Sequence, residues 1–214
     1  MSIIQNYINI KNEIKRISEK TKLIVVSKSQ NVQKIKFLLD SGHYDFGENK
    51  VQEAKQKWPL LIKNYNNVNL HLIGKLQSNK AKDAFNIFNF IHTLDNDKLA
   101  KILANLENSN NKKANYFIQV NIGNEVQKNG VSISEVSDFA RYCKFDLKLN
   151  ILGLMGLPPI NESPDLYFKK LQEINHDNKF KDLSMGMSAD FKTAINFGAT
   201  YVRIGSSIFG RKFN

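Results

Sequence analysis

A chain of 214 residues, 42% apolar and 24% charged, carries enough apolar side chains for a sizeable core, which excludes a globally disordered polypeptide. Its 31 Lys and Arg against 20 Asp and Glu give a formal net charge of +11. The lysines are spread over every helical pattern rather than clustered, so a solvated basic surface is expected and nucleic acid is not the expected partner.

The opening MSIIQNYINIKNEIKR places Ile3, Tyr7, Ile10, Ile14 and Ile17 at helical spacing, predicting an amphipathic helix ahead of everything else. It holds no apolar run long enough for a signal peptide or membrane span, so a cytoplasmic protein is expected. Eight short β-rich runs follow: LIVVS at 23–27, YDFG at 44–47, NLHLIG at 69–74, FIHTL at 90–94, YFIQVNI at 116–122, ILGLMGL at 151–157, LSMG at 183–186 and YVRIG at 201–205. Helical patterns separate them, as in successive βα units. One pattern carries the stripe Leu99, Ile102, Leu103, Leu106; another carries Val136, Phe139, Ala140 and the single cysteine, Cys143. With one cysteine no intramolecular disulfide can form, which fits a reducing compartment. Ser132 with Glu135 predicts a capping box, Ser163–Pro164 an N-cap and first helical position, and Gly198 a helix stop. Eight βα units in about 200 residues suit either a closed (β/α)8 barrel or an open doubly wound sheet, with spacing favouring the barrel; in both, chemistry belongs at the carboxyl ends of the strands.

Four segments bring candidate residues to those ends. Lys28, just after LIVVS, is either a surface cation or a Schiff-base amine. In LSMGMSADFKTAINFGA, Gly186 and Ser188 lead into a helix, which suits a phosphate site or an ordinary N-cap. In YVRIGSSIFG, Arg203, Gly205, Ser206 and Ser207 sit where barrels often bind phosphate, although Arg203 also suits a structural ion pair. In HYDFGENKVQE, Glu48 and Asn49 reach the mouth, or are a helix-start carboxylate and a loop residue; HLIGKLQSNK adds His71, Gln77, Asn79 and Lys80. His43, His71, His92 and His176 have no zinc spacing, so no metal is expected. Dinucleotide, P-loop and serine-hydrolase signatures are absent from the sequence.

In that order VVSKS, DFGENKVQE, HLIGKLQSNK, LSMGMSADF and VRIGSSIFG, spanning nearly the whole chain, closely resemble the pyridoxal phosphate homeostasis protein family. The resemblance implies a single-domain (β/α)8 TIM barrel over residues 1–214, similar to the N-terminal barrel of alanine racemase, with the extra N-terminal helix and no second domain. It implies pyridoxal 5′-phosphate (PLP) as cofactor, held as a Schiff base on Lys28. By the same matching, Ser188 and the Gly205–Ser206 turn hold the phosphate, Arg203 faces the pyridine nitrogen, Asn49 lies beside the ring and Met187 lines the pocket. Ser29 and Ser206 stand where Thr is also common in the family, and Lys75 where relatives vary.

An arginine at the ring nitrogen makes the ring a poor electron sink. With no covering domain expected after Asn214, the implied role is non-catalytic: a cytoplasmic, monomeric binder of PLP in vitamin B6 balance, delivering it to apo PLP-dependent enzymes by transient contact. Lys75, Lys80 and Lys128 are expected near the mouth. The alternatives are a weak PLP-dependent amino-acid racemase and RNA binding through the basic surface.

Overall fold

A computed structural model describes residues 2–210. Eight parallel strands close into a barrel in sequence order: β1 (Lys22–Val26), β2 (Asp45–Glu48), β3 (Asn69–Leu72), β4 (Phe90–Leu94), β5 (Asn115–Val120), β6 (Asn150–Gly156), β7 (Asp182–Met187) and β8 (Tyr201–Ile204). All eight expected runs are strands, and the barrel, not the open sheet, is the architecture. Pairing of β1 with β8 in parallel register, Lys22 opposite Tyr201 through Val25 opposite Ile204, closes it. The expected N-terminal helix is α1 (Ile3–Ile17), with Tyr7 and Ile14 buried and Ile17 at its exposed end. Then come α2 (Val32–Asp40), α3 (Val51–Asn64), α4 (Ala81–Ile87), α5 (Asp97–Asn110), α6 (Val136–Arg141), α7 (Pro164–Asp177), α8 (Phe191–Asn196) and α9 (Ser206–Phe209). Among the described residues no helix is long and apolar enough to cross a membrane.

Period-two alternation sorts the strand residues between two apolar clusters. The larger lies between strands and helices and includes Val25, Phe46, Leu70, Ile91, Ile118, Leu154 and Val202. The smaller fills part of the barrel itself, with Ile24, Phe117, Met155 and Tyr201 buried and Phe90, Leu152 and Leu157 packed against them. Beside these apolar side chains the interior holds buried polar ones, His71, His92, Ser184 and Arg203.

Two local expectations are corrected and one is borne out. Ser132 donates to the Glu135 carboxylate rather than capping a helix; Ile133–Glu135 is a 3-10 turn, and α6 ends in a π turn, Tyr142–Asp146, that carries buried Cys143. Ser163 is the N-cap residue of α7 and Pro164 its first helical residue, as expected; the Ser163 hydroxyl goes to Asp165. Gly186, expected to let backbone approach an anion, instead admits α8: its φ is +92°, and a Cβ would lie 2.6 Å from that of Ala194. Gly186→Ala is therefore expected to cost about 1–3 kcal/mol in strain and overpacking, read as a lower urea midpoint at unchanged m-value.

Candidate functional site at the mouth of the barrel

Lys28 lies two residues past β1, exposed, in a short segment anchored on both sides. Before it, buried Ser27 donates its N–H to Gly47 O (2.9 Å) and its hydroxyl to Glu48 Oε1 (2.8 Å), while Lys57 Nζ donates to Ser27 O (2.8 Å). After it, Ser29 takes a left-handed φ of 57° and gives its N–H to Glu53 Oε1 (2.5 Å). Glu53 and Lys57, one turn apart on α3, form an ion pair at 2.8 Å. The Glu53 carboxyl is held below its usual range by hydrogen bonds from Lys57 and Ser29 that outweigh its partial burial.

The hub of this brace is Glu48, fully buried and paired with Lys57 Nζ at 2.7 Å while also accepting from Trp58 Nε1 at 3.0 Å. This corrects one sequence reading: Glu48 points outward from β2 onto α3 and does not reach the mouth. Asn49, the next residue, does. Its backbone packs so close to the turn after β3 that a Cβ on Gly74 would sit 2.2 Å from Asn49 O.

On the opposite side, β7 ends at Met187, whose N–H is capped by Asp190 Oδ1 at 2.6 Å. Asp190, not Ser188, is the N-cap residue of α8. The half-buried Ser188 hydroxyl faces the next strand's exit, accepting from Ser207 N at 3.5 Å. Gly205 leads β8 into α9, whose first N–H groups have no intrahelical acceptor. A Cβ at Gly205 would come within 3.0 Å of Val26 O, so this turn packs directly against β1.

Arg203 rises inside the barrel from β8, 5% exposed. Nη1 donates to Ser184 Oγ (2.6 Å) and Nη2 to Gly156 O (3.1 Å). Among the described residues it has no carboxylate partner within ion-pair distance. Burial lowers its pKa to about 10, against the milder raising effect of Asp190, and it remains cationic at neutral pH.

These residues share one cleft. Lys28, Asn49, Met187, Ser188, Arg203, Gly205 and Ser206, with Val26, Ile73, Leu157 and Ala189, line a space of about 420 Å³ at the carboxyl ends of the strands. That is within the usual size of small-ligand pockets. Gln77, Lys75 and Lys80 line an adjoining space of about 340 Å³ that also touches Asn49. Lys128 pairs with Glu125 at 2.5 Å. A larger cleft of about 760 Å³, bordered by Asp95, Asp97, Glu135, Asp138 and Asp146, lies elsewhere and shares no lining residue with the mouth. No group of three or more His, Cys, Asp or Glu among the described residues is placed to hold a metal ion.

His71, expected at the mouth, is instead wholly inside the barrel, with His92 and Ser184. His71 Nδ1 and His92 Nε2 are 3.0 Å apart, and His92 Nδ1 is 2.9 Å from Ser184 Oγ, which Arg203 also contacts. At the other end His71 Nε2 is 3.3 Å from Asp45 Oδ1. Sequence reasoning passed over His92 and Ser184, although alternation along FIHTL and LSMG carried the signal.

The barrel, with an amine just past its first strand and a buried arginine on its last, falls in the class of alanine racemase N-terminal barrels by a match over nearly its whole length. The family model described as alanine racemase, N-terminal domain, matches residues 2–212. The chain is 36% identical to the pyridoxal phosphate homeostasis protein of Vibrio alginolyticus, covering 99% of this chain and 98% of that one. It belongs to the pyridoxal phosphate homeostasis protein family. Among solved structures it resembles PipY of Synechococcus elongatus PCC7942 without PLP, with 27% identity and a TM-score of 0.91. Against the PLP-bound form of PipY the values are 26% and 0.88; both cover 98% of this chain and 100% of that one. An alanine racemase from Clostridium difficile 630, 15% identical with a TM-score of 0.76, shares the fold over all of this chain and 57% of its own.

Two outcomes follow from the electrostatics. Lys57→Met strands the Glu48 carboxylate in the core and is expected to cost about 3–5 kcal/mol, measured by chemical unfolding. Burial lowers His43 to about 4 and also lowers His71 and, further, His92. His43 charges near pH 6.5 once the chain unfolds, so stability falls as pH drops from about 6.5 toward 4, by about 1.4 kcal/mol per pH unit from His43, with His71 and His92 acting in the same direction. Urea midpoints that stay flat across that window would contradict neutral burial.

Proposed function

We propose that this protein, as a single barrel domain over residues 1–214, binds PLP at the strand-end cleft and serves intracellular PLP homeostasis by holding the cofactor. The observation that carries the reading is that seven residues from four separate strand ends line one cleft. Family membership and the PLP-bound structure of PipY support it. The chemistry of the lining fits. Arg203 is a buried cation with two of its five N–H donors engaged by protein acceptors, leaving donors for a ligand's acceptor atoms. Ser188 and the N–H groups around Gly205–Ser206 suit phosphate oxygens.

Bound there, the cofactor supplies an aldehyde, with which the Lys28 amine condenses to a Schiff base, releasing water. The brace on Ser27 and Ser29 holds the Lys28 backbone in one place. Ser188, Gly205 and Ser206 grip the phosphate, Asn49 and Met187 flank the ring, and Arg203 faces the pyridine nitrogen. A fixed cation there disfavours a proton on that nitrogen. Among the described residues, Lys28 and Arg203 are the ionisable ones lining the cleft, whereas racemisation asks for acid–base groups on both faces of a substrate. This favours a carrier over a racemase. The same reading takes the protein as a cytoplasmic monomer that hands PLP to apo-enzymes through transient contacts at the exposed mouth.

Lys28→Ala is expected to abolish the Schiff-base absorbance of the PLP-loaded protein, and borohydride should fix the cofactor to Lys28 in the parent; unchanged absorbance in the variant overturns the assignment. Ser188→Ala should weaken PLP binding about 5- to 12-fold, the worth of one hydrogen bond of about 1–1.5 kcal/mol. Deuterium exchange at amino-acid α-carbons above the rate of free PLP would restore the racemase alternative. Apo-enzymes that gain activity no faster from loaded protein than from released PLP would remove direct delivery.

A further inference from the structure

Five side chains make a continuous polar line through the barrel: Arg203, Ser184, His92, His71 and Asp45. They come from β8, β7, β4, β3 and β2, and the three in the middle are fully buried. One end is the floor of the cleft. The other, Asp45, borders a separate space near α1 with Lys22 and His43.

The two ends fix the direction of every bond between them. Guanidinium is donor-only and an ionised carboxylate acceptor-only. Because Arg203 donates to Ser184 Oγ at 2.6 Å, the serine proton is directed at His92 Nδ1, 2.9 Å away. His92 Nδ1 must then be bare and Nε2 must carry the proton, which points at His71 Nδ1. His71 in turn carries its proton on Nε2, facing Asp45. Both rings are held in plane by stacking: His71 on Phe90 at 4.2 Å and 13°, His92 on Phe117 at 4.3 Å and 18°.

We propose that Ser184, His92 and His71 are positioning residues for Arg203: a one-way string of donors, ending on Asp45, that locks both imidazoles as neutral Nε2–H tautomers and holds the guanidinium in a single orientation toward the cofactor ring. The proposal rests on the reading that the cleft binds PLP, but its first consequence, the tautomer pattern, belongs to the protein alone. The environment suits neutral rings. Burial depresses both imidazoles, and Lys22 and Arg203 oppose further positive charge at His71 and His92 respectively. Asp45, facing His71, His43 and Asn69, is held below the usual carboxylate range mainly by its hydrogen bond from His71, against its partial burial. Tyr201, between the two imidazoles and Lys22, accepts from Lys22 Nζ at 3.3 Å and joins no bond of the string.

Two measurements test this. In the cofactor-free protein, 15N spectra of the imidazoles should show His71 and His92 neutral and protonated on Nε2 at neutral pH; a charged ring, or a proton on Nδ1 of either, overturns the proposal without touching the PLP assignment. In the loaded protein, Ser184→Ala and His92→Leu should weaken PLP binding about 5- to 10-fold, the worth of one ordinary hydrogen bond. Both should also move the visible absorbance maximum, with Lys28 still fixed by borohydride. His92→Gln, which can both accept and donate, should recover most of the parent spectrum and affinity. Parent-like affinity and absorbance in a folded Ser184→Ala protein would overturn the positioning role. Where these variants fail to fold, the tautomer measurement on the parent decides. A parent protein that takes up no PLP on Lys28 would sink the cofactor reading instead, and would leave the tautomer result standing.

Discussion

A guanidinium sealed inside a closed barrel, with no carboxylate beside it, has to be solvated by dipoles. This constraint organises the mouth. Arg203 draws on the Ser184 hydroxyl and the carbonyl at the end of β6, and so ties β6, β7 and β8 together across the register shift between Ser184 and Met187. The hydroxyl it uses also meets His92 Nδ1, and Asp190 is the carboxylate whose field favours the charge. A purely apolar interior would leave the cation unsolvated, at a cost far beyond the margin of a small domain. The polar line and the apolar cluster around Phe117 and Met155 are therefore complementary halves of one core.

The lysine side of the mouth follows a different rule. Lys28 itself is exposed, and rigidity comes from its neighbours: Ser27 tied to Glu48 and Lys57, Ser29 tied to Glu53. Charge is buried where the scaffold needs a fixed point, at Glu48, and left in water at Lys28. The two sides meet through the Gly205 turn, whose lack of a Cβ lets β8's exit lie on Val26.

The eight strands were legible because parallel barrel strands are covered on both faces and read as short β-rich runs between helical stripes. The grouping of Lys28, Asn49, Ser188 and Arg203 was also legible, since all follow or end a strand. What failed were local readings in which a polar side chain has several partners of similar worth. Ser188 and Ser132 sit where a cap is common, yet Asp190 takes the N-cap position of α8 and Glu135 captures the other serine. Glu48 and Asn49 are adjacent, and only the pleat decides which faces α3 and which reaches the mouth. His71 and His92 stand at alternating positions of their strands, so the inward direction was readable, but their pairing needs the closed register of β3 and β4.

Closure of β8 onto β1 brings together side chains from the two ends of the sequence. Lys28 is made early, Arg203, Gly205 and Ser206 nearly last, and nothing between them can substitute for the final strand. Non-local contacts of this kind are slow to form, because loop entropy is spent before any contact rewards it. During synthesis, the nascent chain thus exposes Lys28 for most of its elongation and completes the lining of the cleft only when the last strand docks. Completion of the cleft therefore reports closure of the barrel: a chain without its last strand has no Arg203, Gly205 or Ser206 to line it.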